Sequence, residues 1–170
     1  MIMNKAENND TVLRKYILSV MVNNHFGVLT RISGLFARRG YNINSLTVGE
    51  TQDEKVSRMT IRGTGDDHTV DQIKNQLSKV EDVISVTELA APDAVFRELY
   101  LVKVSADDDT RAAVLQIAGI FKAKAVDVTD KAITFEVSGD EEKLRSFYDN
   151  MLKYGILELA RTGVTAMKRG

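Results

Sequence analysis

The 170-residue sequence contains no cysteine, a single proline and only two histidines. Without cysteine the chain can form no disulfide, no catalytic thiol and no cysteine-based metal site. The two histidines, His25 and His68, are not spaced as metal ligands with any other candidate residue. The sequence also lacks a phosphate-binding loop, a dinucleotide fingerprint and a nucleophile–base signature. We therefore expect a non-catalytic protein, with no catalytic residue and no metal site of its own.

Long apolar runs are absent as well, since none approaches the roughly 18 residues needed to cross a membrane. The formal net charge of -1 creates no basic field, so a nucleic-acid partner is not expected. A hydrophobic content of 44% with 28% charged residues is typical of a soluble globular protein. Residues 1–11 are polar and lack the apolar core of a signal peptide. We expect a flexible lead over residues 1–13 and a cytoplasmic protein without a membrane partner.

The apolar periodicity predicts the same order of elements twice. In the first half we expect four strands and two helices: strands Tyr16–Val22, Asn42–Val48, Val56–Arg62 and Asp82–Leu89, a helix from about Gly27 to Arg39, and a helix opening at Asp66–Thr69. In the second half we expect strands Glu98–Val104, Ala125–Thr129, Ala132–Val137 and Ile156–Arg161, with helices Thr110–Lys122 and Asp140–Leu152. Each half follows the β-α-β-β-α-β order of a ferredoxin-like domain.

The fold class that follows is α+β, with two tandem ferredoxin-like domains whose antiparallel sheets carry helices on one face. We place the domains at residues 14–90 and 97–170, with a linker at 91–96 beside the only proline, Pro92. Sheets of this kind leave an open face and edge strands that commonly pair with another copy. A homodimer is therefore expected.

The turn from Asn23 to Leu29, between the first strand and the first helix, is the candidate binding site. Gly27 leaves no side chain at the helix mouth, so backbone N–H groups and the helix dipole are accessible to a carboxylate. The amides of Asn24 and Asn42 offer both donors and an acceptor, as a zwitterionic amino acid requires. The alternative is that the stretch is only a turn and a helix cap. His25 either lines this turn or is a solvated turn residue, and His68 is a first-turn helix residue.

The corresponding turn of the second half has the opposite character. Asp107, Asp108 and Asp109 stand at its helix mouth, where their carboxylates already occupy the favourable end of the dipole and repel another anion. Amino-acid binding is therefore assigned to the first half. The second half is expected to serve packing or partner contact.

Several stretches carry a resemblance to one family. They are Leu18-Ser19-Val20, Asn24, Gly27-Val28-Leu29, Arg31, Gly34-Leu35-Phe36, Arg39-Gly40-Tyr41-Asn42-Ile43, Ser45-Leu46-Thr47-Val48, Ser57-Arg58-Met59-Thr60-Ile61, Val126-Asp127-Val128-Thr129 and Ala160-Arg161-Thr162-Gly163-Val164. Together they resemble the small, regulatory subunit of acetolactate synthase, also called acetohydroxyacid synthase. The resemblance covers residues 14–168, and its most specific run is Gly34–Val48.

The resemblance implies an N-terminal ACT domain that binds valine, or a related branched-chain amino acid, at a dimer interface. The family's effector contacts fall on five positions: Asn24, Gly27, Val28, Asn42 and Ile43. The amides and backbone N–H groups would bind the charged ends of the ligand, and Val28 and Ile43 its apolar side chain. Many relatives have proline before the glycine of the turn, whereas this chain has Phe26, which removes a rigid φ angle.

The resemblance also implies a division of labour between two subunits. The large subunit, with thiamine diphosphate, FAD and Mg²⁺, condenses two pyruvates to 2-acetolactate. The small subunit has no cofactor of its own, raises the large subunit's activity and confers feedback inhibition in valine, isoleucine and leucine biosynthesis. Two alternatives remain: a stand-alone ACT-domain sensor that regulates another metabolic enzyme, and a small enzyme on the same scaffold.

Overall fold

A computed structural model describes residues 12–170. The predicted flexible lead at 1–13 therefore falls almost entirely on residues outside the described part of the chain. The described residues form two compact units: the first ends at Glu88 and leaves out residues 45–48, and these four group with residues 89–170 in the second. In the described part of the chain, no helix is long and apolar enough to span a membrane.

The first unit contains one antiparallel sheet and two helices. Its elements are β1 (Arg14–Asn23), α1 (Val28–Arg39), β2 (Ile43–Glu50), β3 (Val56–Gly65), α2 (Asp67–Leu77) and β4 (Val83–Glu88). The strand order is β2-β3-β1-β4, and β1 runs antiparallel to both β3 and β4. This is the sheet order of a split β-α-β fold, so the predicted fold class is confirmed here.

The core of the first unit follows from two periodicities. Alternate residues of β1 are buried on one face, as the two-residue strand period requires. Each helix buries a stripe at helical spacing: Val28, Ile32, Leu35 and Phe36 in α1, and Val70, Ile73 and Leu77 in α2. Each such side chain contributes roughly 1.5–3 kcal/mol by leaving water. Both ends of α1 are thereby held in fixed positions, which is what positions the candidate site.

The second unit repeats this plan and adds one strand. Its elements are β5 (Ala94–Ser105), α3 (Arg111–Ile120), β6 (Lys124–Val128), β7 (Ala132–Gly139), α4 (Glu141–Met151), a 3₁₀ turn (Leu152–Tyr154), β8 (Ile156–Arg161) and β9 (Thr165–Lys168). The strand order is β6-β7-β5-β8, with β9 pairing to β5. Phe135 of β7 and Phe147 of α4 meet edge to face in the core, with ring centroids 6.2 Å apart.

The structure corrects the sequence-based prediction at the start of the second unit. The strand predicted from Glu98 begins at Ala94, so residues 94–96 of the predicted linker are strand. Its extra residues pair with β9, from Ala94 opposite Lys168 to Arg97 opposite Thr165, and β9 itself was not predicted. Both errors have one cause: the backbone partners of Ala94–Arg97 are about seventy residues away, where local periodicity gives no signal.

Element ends elsewhere differ by a few residues. Strand β3 continues to Gly65 beyond the predicted Arg62, and α3 ends at Ile120 instead of Lys122. Near the candidate site, α1 begins at Val28 with Gly27 as its cap, β2 begins at Ile43, and Asp82 lies just before β4.

Candidate functional site

Among residues 12–170, no side chain caps the mouth of α1 with a hydrogen bond. Gly27 caps the helix in the left-handed conformation, with φ of 90°, and no acidic residue lies in the first turn. The first helical bond runs from the Arg31 N–H to the Gly27 carbonyl, at 3.0 Å. The N–H groups of Val28, Leu29 and Thr30 lie ahead of it, at the positive end of the helix dipole. Around Gly27 the space a Cβ would occupy is open to 4 Å.

Two other helices show how this chain normally closes a mouth. The Asp66 carboxylate accepts the Thr69 N–H at 2.7 Å at the start of α2. The Asp140 carboxylate accepts the Lys143 N–H at 2.9 Å at the start of α4. Both are ordinary N-caps. The mouth of α1 has the geometry to take a carboxylate in the same place, from outside the chain.

Asn24 is bound to the hairpin between β2 and β3. Its Nδ2 donates to Oε1 of Glu50 at 3.0 Å and to the carbonyl of Glu54 at 2.8 Å. Its backbone N–H donates to the Lys55 carbonyl at 2.7 Å. Because both amide hydrogens are used, the part of this side chain that remains for a ligand is the acceptor Oδ1.

The remaining predicted contacts divide between the two ends of α1. The Val28 side chain is 3% exposed and lies in the core, so a ligand at the mouth reaches its N–H and not its methyl groups. Asn42 is exposed just before β2, and Ile43 is the half-buried first residue of that strand. Both follow the C-cap, Gly40. A helix of 12 residues is about 18 Å long, so within one copy Asn42 and Ile43 lie far from Gly27.

A carboxylate that the sequence did not single out holds the turn. Asp82 precedes β4, and its side chain is 6% exposed. Its Oδ1 accepts from Nε2 of His25 at 2.7 Å, and its Oδ2 accepts from the Arg31 guanidinium. Its carbonyl accepts the Asn23 N–H at 2.9 Å. Asp82 therefore fixes the start of the turn, its middle and the first turn of α1.

The His25 ring contacts an oxygen atom on each side. Its Nδ1 lies 3.1 Å from the Phe26 carbonyl, and its Nε2 contacts Asp82. The Phe26 carbonyl and then the Asp82 carboxylate raise the pKa of His25, while the Arg31 charge opposes them. The His25 side chain is 54% exposed, so it is a partly solvated turn residue that also contacts Asp82. His68 is a first-turn residue of α2, as predicted.

The corresponding mouth in the second unit is filled by its own chain. Oδ1 of Asp107 accepts both the N–H and the hydroxyl of Thr110, at 3.0 and 2.6 Å. The Arg111 guanidinium donates to the carbonyls of Ala106, Thr129 and Asp130 at 2.7–2.9 Å. The predicted difference between the two mouths is therefore present in the geometry. Among the described residues, no group of three or more His, Asp or Glu side chains could hold a metal ion.

Comparison with known proteins covers both units. Residues 18–85 match the model of the AHAS small subunit-like ACT domain, and residues 97–170 match that of the small subunit of acetolactate synthase. A probable acetolactate synthase small subunit of Archaeoglobus fulgidus is 47% identical over 156 residues, covering 92% of this chain and 98% of the relative. The isozyme 3 small subunit of Salmonella typhimurium is 43% identical over 155 residues, covering 91% and 95%.

A solved structure agrees with these sequence relatives. The crystal structure of the acetolactate synthase small subunit from Thermotoga maritima superposes with a TM-score of 0.84 at 37% identity, covering 92% of this chain and 98% of that one. The similarity therefore extends through both units and is not confined to the ACT domain.

Proposed function

This chain belongs to the family of acetolactate synthase small subunits, and from that membership we propose that it binds a branched-chain amino acid at the mouth of α1. As a member it is the regulatory, non-catalytic subunit. We propose valine as the preferred effector and feedback inhibition of the large subunit as the result of its binding. In the absence of effector the chain raises the activity of the large subunit.

The proposed site is made by two copies of the chain. The observation that carries this is the length of α1, which separates Gly27 from Asn42 and Ile43 by about 18 Å within one copy. A single valine is far smaller than that distance. In a two-fold dimer, the mouth of α1 in one copy meets the start of β2 in the other, and the symmetry creates two equivalent sites.

The chemistry assigned to each contact follows from what each residue has to offer. The N–H groups at Gly27 and Val28 bind the carboxylate, assisted by the helix dipole. The Oδ1 atoms of Asn24 and of the second copy's Asn42 accept from the ammonium group. Ile43 contacts the branched side chain. The Val28 methyl groups take no part, because they are buried in the core.

Inhibition requires the effector to bind one state of the complex better than another. In the proposed mechanism, valine bridges two first units and favours an arrangement in which the large subunit is less active. A typical coupling free energy of about 1–3 kcal/mol changes an equilibrium constant roughly 5- to 150-fold.

We propose that thiamine diphosphate, FAD and Mg²⁺ bind to the large subunit. The match through both units favours this role over a stand-alone sensor. Location in the cytoplasm stays a prediction.

Calorimetric titration with valine, leucine and isoleucine tests the site. Gly27→Asp should abolish binding, because its carboxylate occupies the helix mouth and repels that of the ligand. Gly27→Ala is the control without the charge, since it also places a Cβ on the left-handed backbone, and it should bind with reduced affinity. The effector proposal is wrong if the wild type binds none of the three amino acids, either alone or with the large subunit present.

Mixing two defective variants tests whether two copies form each site. Gly27→Asp and Asn42→Ala should each lose valine binding in a homodimer. A heterodimer of the two variants has one site with both lesions and one intact site. Random exchange should therefore restore about one quarter of the sites. Absence of recovery, with exchange verified by mass spectrometry, would contradict the two-copy site. Light scattering should give a mass of twice 18.9 kDa.

A further inference from the structure

The Asp82 cluster joins three separate pieces of the first unit. Asp82 lies on the approach to β4, His25 on the turn before α1, and Arg31 in the first turn of that helix. A single carboxylate, nearly buried, accepts from both side chains, and the Asp82 carbonyl accepts the Asn23 N–H. The turn that presents Gly27 is thus held at its start, its middle and its exit by one residue.

The histidine contributes most to this arrangement when its ring is protonated. Nδ1 contacts the Phe26 carbonyl and Nε2 contacts the Asp82 carboxylate, and both are acceptors only. An imidazolium donates to both oxygen atoms. A neutral imidazole has a single N–H, so its other nitrogen points a lone pair at the second oxygen and the two repel. Loss of the proton therefore breaks either the contact within the turn or the contact that fixes the turn to Asp82.

The charged groups near the ring favour the protonated form on balance. From β4 comes the Asp82 carboxylate and from α1 the Arg31 guanidinium, which opposes it. From the end of β2, the Glu50 carboxylate accepts from the side chain of the adjacent Asn24. Arg31 remains on Asp82 when His25 is neutral, so the helix stays anchored while the middle of the turn is released.

We propose that Asp82 is a positioning residue for the effector turn, and that loss of the His25 proton releases the turn and weakens amino-acid binding. The effector half of this statement rests on the proposed function, whereas the positioning half does not. The Phe26 carbonyl and Asp82 raise the pKa of His25, so the ring gives up its proton at a higher pH than a free histidine does. The effector then favours the protonated ring, and by linkage the protonated ring favours the effector.

Proton NMR of the full chain tests the positioning without any ligand. Only two histidines are present, so His68→Gln leaves the His25 ring signal alone in the spectrum. In this background His25 should titrate above the ordinary histidine pKa of about 6.5. Adding Asp82→Asn should lower that pKa and speed amide exchange at residues 24–27. An ordinary His25 pKa that Asp82→Asn leaves unchanged would overturn the proposal.

Calorimetry at two pH values tests the coupling to effector. Valine affinity of the wild type should fall roughly three- to tenfold between about pH 6 and pH 8.5, as the ring loses its proton. His25→Gln, which keeps an N–H donor but does not titrate, should bind valine with nearly the same affinity at both pH values. His68→Gln should behave as the wild type. These two variants keep Asp82, so they remain informative if Asp82→Asn fails to fold.

The outcomes separate the two proposals. A pH-dependent affinity that His25→Gln leaves in place would overturn the coupling. If valine does not bind at either pH, the proposed function and the coupling fail together, and the NMR titration still decides whether Asp82 positions the turn. If His25→Gln removes the pH dependence of valine affinity and the His25 pKa responds to Asp82→Asn, both halves of the proposal are supported.

Discussion

The turns ahead of α1 and α3 occupy the same place in two units of the same β-α-β-β-α-β order, yet they treat the helix mouth in opposite ways. Ahead of α3, Asp107 binds Thr110, and Arg111 binds three backbone carbonyls of its own unit. Ahead of α1, Gly27 leaves the mouth without a side chain. The scaffold thus tolerates either solution, and only the open one leaves the dipole for a ligand.

The two arginines sharpen this contrast. Arg111 donates to main-chain carbonyls that do not titrate, so its turn is a self-contained structural element. Arg31 donates to a carboxylate that it shares with a histidine, so one contact at its turn involves a side chain that titrates. The comparison teaches that the same residue type at a helix mouth either closes it permanently or takes part in an adjustable contact.

The largest expected effect comes from giving the first mouth the character of the second. In the enzyme reconstituted with its large subunit, Gly27→Asp should abolish inhibition by valine while leaving activation intact. Two carboxylates about 4 Å apart near a protein surface repel by roughly 4 kcal/mol. The measurement is a valine inhibition curve beside that of Gly27→Ala. A Gly27→Asp enzyme as sensitive to valine as the Gly27→Ala enzyme would mean that the mouth is not the site.

A smaller effect is expected from loosening the second mouth. Arg111→Ala removes hydrogen bonds to three carbonyls and should destabilise the protein by about 2–3 kcal/mol in chemical denaturation. Valine affinity should not change. The control is Arg145→Ala, whose exposed ion pair with Asp149 at 3.7 Å should contribute at most about 0.5 kcal/mol. An Arg111→Ala protein with reduced valine affinity would show that the two mouths are coupled.

The pH dependence of stability should separate the two turns. Hydrogen bonds to Phe26 and Asp82 raise the pKa of His25. The contribution of His25 to folding stability is therefore complete below the ordinary histidine pKa of about 6.5. It is lost as the pH rises through the raised pKa. Bonds from Thr110 lower the pKa of Asp107. The contribution of Asp107 to folding stability is present above the ordinary carboxyl pKa. It disappears in acid, as the pH falls through the lowered pKa.

Unfolding midpoints across the pH range, measured for the wild type, His25→Gln and Asp107→Asn, check both signs. His25→Gln should flatten the curve only from about pH 6.5 upwards, and Asp107→Asn only in acid. Effects in the reverse ranges would contradict the assignment of these groups.

The smallest effect concerns the stiffness of the open turn. Phe26 is fully exposed and directly precedes the glycine of the turn. Phe26→Pro restricts φ before Gly27 and should strengthen valine binding by about 0.4–1 kcal/mol, because fewer conformations of the turn are lost on binding. Phe26→Ala removes the ring without restricting φ and should leave the affinity unchanged. Weaker binding by Phe26→Pro would indicate that the turn of this chain adopts a φ that proline cannot.

Much of this architecture was predictable because its signals are local. The stripe of Val28, Ile32, Leu35 and Phe36 repeats at helical spacing, and Gly40 ends the helix. The open mouth of α1 and the acidic mouth of α3 followed from short stretches of sequence. What was missed depends on distant partners. Asp82 lies 57 positions from His25, and the sequence identified it only as the first residue of a predicted strand. The available signal was the predicted antiparallel sheet, in which an acid at the start of the fourth strand lies beside the end of the first strand.

The pairing of β5 with β9 has a consequence for synthesis on the ribosome. The first four residues of β5, Ala94–Arg97, acquire their partners in β9 only after about seventy further residues have been translated. At roughly 5–20 residues per second that interval lasts several seconds. During it, the growing chain carries an unpaired strand edge that neighbouring nascent chains on the same message can reach. The elements β1 to β4 are translated well before that point, so the first unit can fold while the second is still open to mispairing.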